Sequence, residues 1–180
     1  CGTDKTQQSL VVEIELIENY NFPELAQLRK YIVFPASKDL VAKGIDYHLK
    51  GVYKNPRREV NLLFAVKRKK SKTKSKYTDR WTWIEYKKNP KEDGWIYGPA
   101  HFIAFERSDD FIIINRKVLL EFLVSPKCRV RWDMPFVKSP KEAKYKIYAN
   151  PRTGSKISQI LSKDIMKLEG VQIWKKNGNG

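Results

Sequence analysis

An acid two residues before a lysine on a β-strand sets a carboxylate and an ammonium on the same face, because strand side chains alternate. Such a pair suits metal-dependent phosphodiester cleavage. That reaction needs a few oxygen ligands for a divalent cation and gains from a positive charge beside the attacked phosphate. Glu85-Tyr86-Lys87 has this form, and Ala65-Val66-Lys67 repeats the frame with alanine where the acid would stand. Asp46 lies upstream on the first strand-like segment of the group, where it can approach either one. Singly, each signal is weak: a lone aspartate on a strand is more often solvated or part of a turn, and Glu-x-Lys pairs are common on exposed strand faces. Order and spacing together favour one site.

Other chemistries find less support. His48 and His101 stand outside any His-x-x-x-His or His/Cys cluster, so structural roles are expected for both. No Gly-rich phosphate loop ending in Lys-Ser/Thr is present. Gly94-Trp95 and Gly98-Pro99 read as a turn and a packing feature. Cys1 and Cys128 give neither a disulfide framework nor a zinc site, which suits a reducing compartment. The opening Cys-Gly reads as the start of a trimmed or processed chain; a lipidated N-terminal cysteine would begin the same way.

The elements that must position these residues follow from periodicity. Leu10–Ile17 reads as a strand. Asn21-Phe22-Pro23-Glu24 reads as a helix start, running through Leu25, Leu28 and Tyr31 until Pro35 interrupts it. A short helix follows from Asp39 to Gly44. Strands are expected over Ile45–Tyr53, Glu59–Lys67, Arg80–Lys88, His101–Glu106 and Phe111–Asn115, with a helix over Val118–Val124. Lys144–Tyr148 reads as an edge strand. Ile157, Ile160, Leu161, Ile165 and Leu168 have helical spacing. The sum is an α+β chain of one domain, a central mixed β-sheet flanked by helices, with its core at about 22–123 and a basic C-terminal extension at 124–180.

The 180 residues carry 36 Lys and Arg against 20 Asp and Glu, a net charge of +16. Such an excess repels itself unless polyanions screen it; nucleic acid is the usual polyanion and a membrane surface the main alternative. No apolar run approaches bilayer-spanning length, and no secretory signal is visible. Lys67–Lys76 holds seven basic residues among Ser and Thr and reads as an exposed loop. Arg68, Lys69, Lys70, Lys72, Lys74 and Lys76, with Lys87, Lys88 and Lys91, would form a cationic rim giving salt-sensitive affinity without sequence reading. Arg129, Arg131 and Lys138–Lys146 form a second basic area. Trp81 and Trp83 share the strand face of Glu85 and suit base stacking, with at least one of them expected in the core.

Gly44-Ile45-Asp46-Tyr47, followed by a hairpin to Phe64-Ala65-Val66-Lys67, resembles the active-site strands of the PD-(D/E)XK (restriction-endonuclease-like) nucleases. Trp83-Ile84-Glu85-Tyr86, Gly94-Trp95-Ile96 and Ala100-His101-Phe102-Ile103 resemble phage and bacterial members, and the likeness covers roughly 22–123. The resemblance implies a restriction-endonuclease-like fold and a metal-dependent endonuclease hydrolysing phosphodiester bonds in DNA. It implies Mg²⁺ or Mn²⁺ as cofactor, DNA favoured over RNA, and the cytoplasm of a bacterial or phage-infected cell. A homodimer is one implied state, because endonucleases that cut both strands are often dimers. Asp46 takes the place of the first metal-binding acid, Lys67 that of the catalytic lysine, Glu85 that of an acid on the neighbouring strand, and Glu24, weakly, that of a helix acid at the metal.

Ala65 departs from the pattern, which has Asp or Glu there. Three explanations stand: deliberate substitution, a naturally inactive binder with the same fold, or a true motif at Glu85-Tyr86-Lys87 that would make Lys87 the catalytic lysine. A nucleic-acid-binding subunit without catalysis is therefore the alternative function, and an RNA-binding basic protein without nuclease ancestry is a third. The enzyme reading requires Asp46, Lys67 and Glu85 to meet in one small electropositive cleft.

Overall fold

The computed structural model describes residues 28–68, 78–126, 130–132 and 135–176. The chain runs β1 (Leu28–Pro35), α1 (Lys38–Ala42), β2 (Tyr47–Tyr53), β3 (Glu59–Lys67), β4 (Trp81–Asn89), β5 (Glu92–Asp93), β6 (Phe102–Glu106), β7 (Asp110–Asn115), α2 (Arg116–Val124), β8 (Tyr148–Ala149), β9 (Lys156–Leu161), α3 (Ser162–Ile165) and β10 (Gln172–Lys175). Ten strands and three short helices among the described residues make an α+β architecture with a mixed sheet.

Six strands form the larger sheet in the order β1-β2-β3-β6-β7-β10. All its pairings are antiparallel except β3 with β6. A parallel pair needs a crossover between its strands. Here the crossover is β4 and β5, which join a second, four-stranded antiparallel sheet in the order β5-β4-β9-β8. The second sheet and α2 share one hydrophobic cluster with a face of the first: Ala65, Ile103 and Ile112 meet Ile84, Tyr86, Ile160 and Leu119 there. The other face of the larger sheet buries Leu49, Phe64, Phe102, Ile113 and Trp174.

Two helical expectations are corrected. Residues from Leu28 onward form β1, antiparallel to β2, rather than the continuation of a helix. Val33 is buried and Ile32 is 69% exposed, a period of two in a run of β-branched and aromatic residues that suits a strand. The segment 155–168 is β9 and then the single turn of α3. Strand β9 lies between β4 and β8, and its last four residues are all buried. A strand covered on both faces loses its alternation, so its apolar spacing resembles a helix. The C-terminal segment supplies β9 and β10, so it completes both sheets. The expected strand at Lys144–Tyr148 is reduced to a bridge from Lys144 to Gln159, with β8 beginning at Tyr148. The expected strand at Leu10–Ile17 lies outside the described residues.

Helix α2 begins where Asn115 Oδ1 accepts the N–H groups of Lys117 and Val118, a capped start directly after β7. It turns Leu119 and Leu123 into the shared cluster.

Candidate functional site

Asp46 sits one residue before β2. Its N–H donates to the Phe64 carbonyl at 2.9 Å, and its Oδ2 accepts the Val66 N–H at 2.6 Å. The side chain thus continues the β2–β3 ladder one step past the end of the strand, and the carboxylate is held beside the next residue, Lys67.

Lys67 ends β3, and its ammonium stands 5.1 Å from the centre of the Trp95 ring, within cation–π reach. Burial lowers its pKa below the usual 10.5, and the opposite charges of Asp46 and Glu85 act against that shift. Among the described residues, Lys67 Nζ makes no hydrogen bond or ion pair, and none reaches the Glu85 carboxylate. A half-buried ammonium is stabilised by hydrogen bonds, and an anion entering the site would accept them from Lys67.

Glu85 arrives from the second sheet. Strand β4 buries Thr82, Ile84 and Tyr86 on one face and leaves Trp81, Trp83 and Glu85 half-buried on the other. Gly94 anchors this strand from behind: its N–H donates to the Tyr86 carbonyl at 2.9 Å, and a Cβ there would collide with the Glu85 carbonyl. The turn and packing role read from Gly94-Trp95 is what the geometry uses.

These residues line one cavity of about 480 Å³, together with Val66, Arg68, Asp79, Trp95, Phe105, Glu106, Arg107 and Ser162. Asp46, Lys67, Glu85, Arg68 and Trp81 are brought together as the site requires. Others are not. Ala65 is 1% exposed and packs in the shared hydrophobic cluster beside the cavity, paired with Ile103. Lys87 is drawn to Asp93 at 2.7 Å, past an irregularity in the pairing of β4, and does not line the cavity. Lys88 is exposed, 3.8 Å from Glu92. Glu24, Lys69, Lys70, Lys72, Lys74 and Lys76 lie outside the described residues.

Neither tryptophan is core, a correction to the expectation for at least one of them: Trp81 and Trp83 are both half-buried in the cavity wall. The described lining of the cleft carries no excess of positive charge. It holds four carboxylates (Asp46, Asp79, Glu85, Glu106) and three cations (Lys67, Arg68, Arg107). Several are already engaged. Asp79 accepts the Ser108 N–H at 3.0 Å, Glu106 pairs with Lys176 at 3.1 Å, and Arg107 grips Asp110 with two bonds of 2.6 and 2.7 Å.

No family model, curated protein or solved structure matches this chain.

The histidines are structural, in line with expectation. His101 Nδ1 accepts the Leu63 N–H at 2.9 Å, and His48 Nε2 meets Asn61 Oδ1 at 2.8 Å. Burial lowers the His101 pKa, as do the positive charges of Arg116 and Lys117, and the neutral ring is the form that can accept that bond. Among the described residues no group of three or more His, Cys, Asp or Glu is arranged to hold a metal ion. Asp79, Trp95, Arg107 and Ser162 were not singled out from the sequence as site residues. No local motif marks the first, third or fourth; Trp95 carried a signal as part of the Gly-Trp turn and of the Gly94-Trp95-Ile96 likeness.

Proposed function

We propose that this chain is a DNA-processing protein whose cleft handles a phosphodiester, with the residues of a Mg²⁺-dependent nuclease. The observation behind this reading is the half-buried Lys67 ammonium between Asp46 and Glu85 in one open cavity. A phosphate entering there would receive hydrogen bonds from Lys67, whose charge would stabilise the negative charge that builds on the phosphoryl oxygens during attack. Arg68 at the rim supplies a second cation for the flanking backbone.

Two carboxylates are enough for Mg²⁺ when water and phosphate oxygens complete its octahedron, so Asp46 and Glu85 suit an open site of that kind. Asp46 keeps acceptor capacity beyond its bond to Val66. When bound, the metal would acidify an attacking water and neutralise phosphate charge. Asp46 is pre-oriented for this by its ladder bond.

A second reading has its own observation. Ala65 is apolar and packed, which favours a non-catalytic nucleic-acid-binding protein of the same architecture. Plasmid nicking in Mg²⁺ and in Mn²⁺, compared for the native chain and Ala65→Asp, separates the two. The expected result is divalent-dependent nicking gained by Ala65→Asp, and a thermal midpoint of that variant that rises when Mg²⁺ is added. Adding Lys67→Gln should then reduce the rate about 10²–10³-fold. A folded Ala65→Asp chain that nicks in neither metal, with no metal-dependent midpoint, would leave only the binding reading.

A further inference from the structure

The wall of the cavity says more than its floor. Trp81 and Trp83 stand on the same face of β4 as Glu85, and all three line the cavity that contains Lys67. Residues two apart on a strand are separated by about 6.6 Å. The aromatic wall therefore begins one strand repeat from Glu85, within about a nucleotide of a phosphate held at Lys67.

Cations are interleaved with these rings. Lys144 Nζ lies 4.9 Å from the Trp81 ring centre, and Arg68 is exposed at the cavity rim. The Tyr145 ring meets Trp81 edge-on at 6.2 Å, and the Tyr145 hydroxyl donates to Asp164 and accepts the Leu161 N–H at 3.2 Å. Trp81 is thus buttressed in place.

A half-buried aromatic wall with cations beside it matches the way single strands are bound, where bases stack on side-chain rings while the groove tracks phosphates; Lys144 already covers a face of Trp81, so Trp83 is the stacking ring. Duplex DNA cannot use such a wall. Its base faces are stacked on one another, and only base edges reach the grooves.

We infer that the cavity takes a strand whose bases are unstacked next to the bound phosphate, so that the preferred ligand is single-stranded DNA rather than duplex. This rests on the phosphodiester reading of the same site and names the substrate class for it.

The test is metal-free binding by the full chain in EDTA, so that catalysis plays no part. Fluorescence anisotropy would compare a labelled 20-nucleotide oligo-dT with a 20-base-pair duplex, while tryptophan emission is followed. Trp83→Ala and Trp83→Phe would be compared with the native chain, with circular dichroism to confirm folding. The expected result is tighter binding of the single strand and quenched emission. Trp83→Ala should lose about tenfold in single-strand affinity with little change for duplex, and Trp83→Phe should restore most of it. Equal or tighter duplex binding, or a folded Trp83→Ala chain with native single-strand affinity, would overturn the inference while leaving a phosphodiester site in place. Binding of neither ligand would overturn the phosphodiester reading along with it.

Discussion

The Asp46 carboxylate accepts the Val66 N–H at 2.6 Å, in the place that a further residue of β2 would fill if the strand ran on. One side chain thus finishes a ladder and delivers a negative charge next to Lys67.

Those two roles come apart by substitution. Asn at 46 keeps an oxygen for the Val66 N–H and loses the charge, whereas Ala loses both. Asp46→Asn is expected to keep nearly native stability. Asp46→Ala should cost about 1 kcal/mol, because the Val66 N–H is left to solvent. Urea unfolding measures the difference. Equal stability of the two variants would show that the bond does not support the strand end. Both variants should weaken any Mg²⁺-dependent rise in thermal midpoint seen in the Ala65→Asp background.

Gly94→Ala tests how the β4 backbone at Glu85 is held. The added methyl meets the Glu85 carbonyl, which is backbone and cannot swing aside. The strand must shift, with a loss of about 1–3 kcal/mol, the usual range for overpacking. Thermal unfolding reads the loss. An unchanged midpoint would mean that the turn relaxes without moving β4.

Acid should loosen the β3–β6 junction through His101. Its folded pKa lies below the ordinary 6.5. Between those two values the unfolded chain takes up a proton that the folded chain refuses, so the stability held above pH 6.5 is lost as pH falls through the folded value. Protonation also removes the lone pair that accepts the Leu63 N–H. His101→Gln should flatten the pH dependence of the unfolding free energy between pH 7.5 and pH 5, a range of about 2.5 units around the ordinary histidine value. An unaltered slope would assign the acid sensitivity to other groups.

Much of this architecture was legible from residue order alone. The strands over Glu59–Lys67, Arg80–Lys88, His101–Glu106 and Phe111–Asn115 and a helix over Val118–Val124 all follow from local pattern, because strand pleat and helical periodicity are set by near neighbours. So does the choice of Asp46, Lys67 and Glu85 as residues to watch.

Their meeting is a different matter. Lys67 and Glu85 lie in separate sheets, brought together because the parallel β3–β6 pair requires a crossover and β4 supplies it. Only long-range pairing could show that β9 is a strand buried on both faces, that Ala65 packs into a core shared by two sheets, or that Lys87 is diverted to Asp93 past an irregular pairing in β4. Local sequence sets which way a side chain alternates. What stands opposite it is decided by segments far along the chain, whose burial outweighs their own intrinsic preferences.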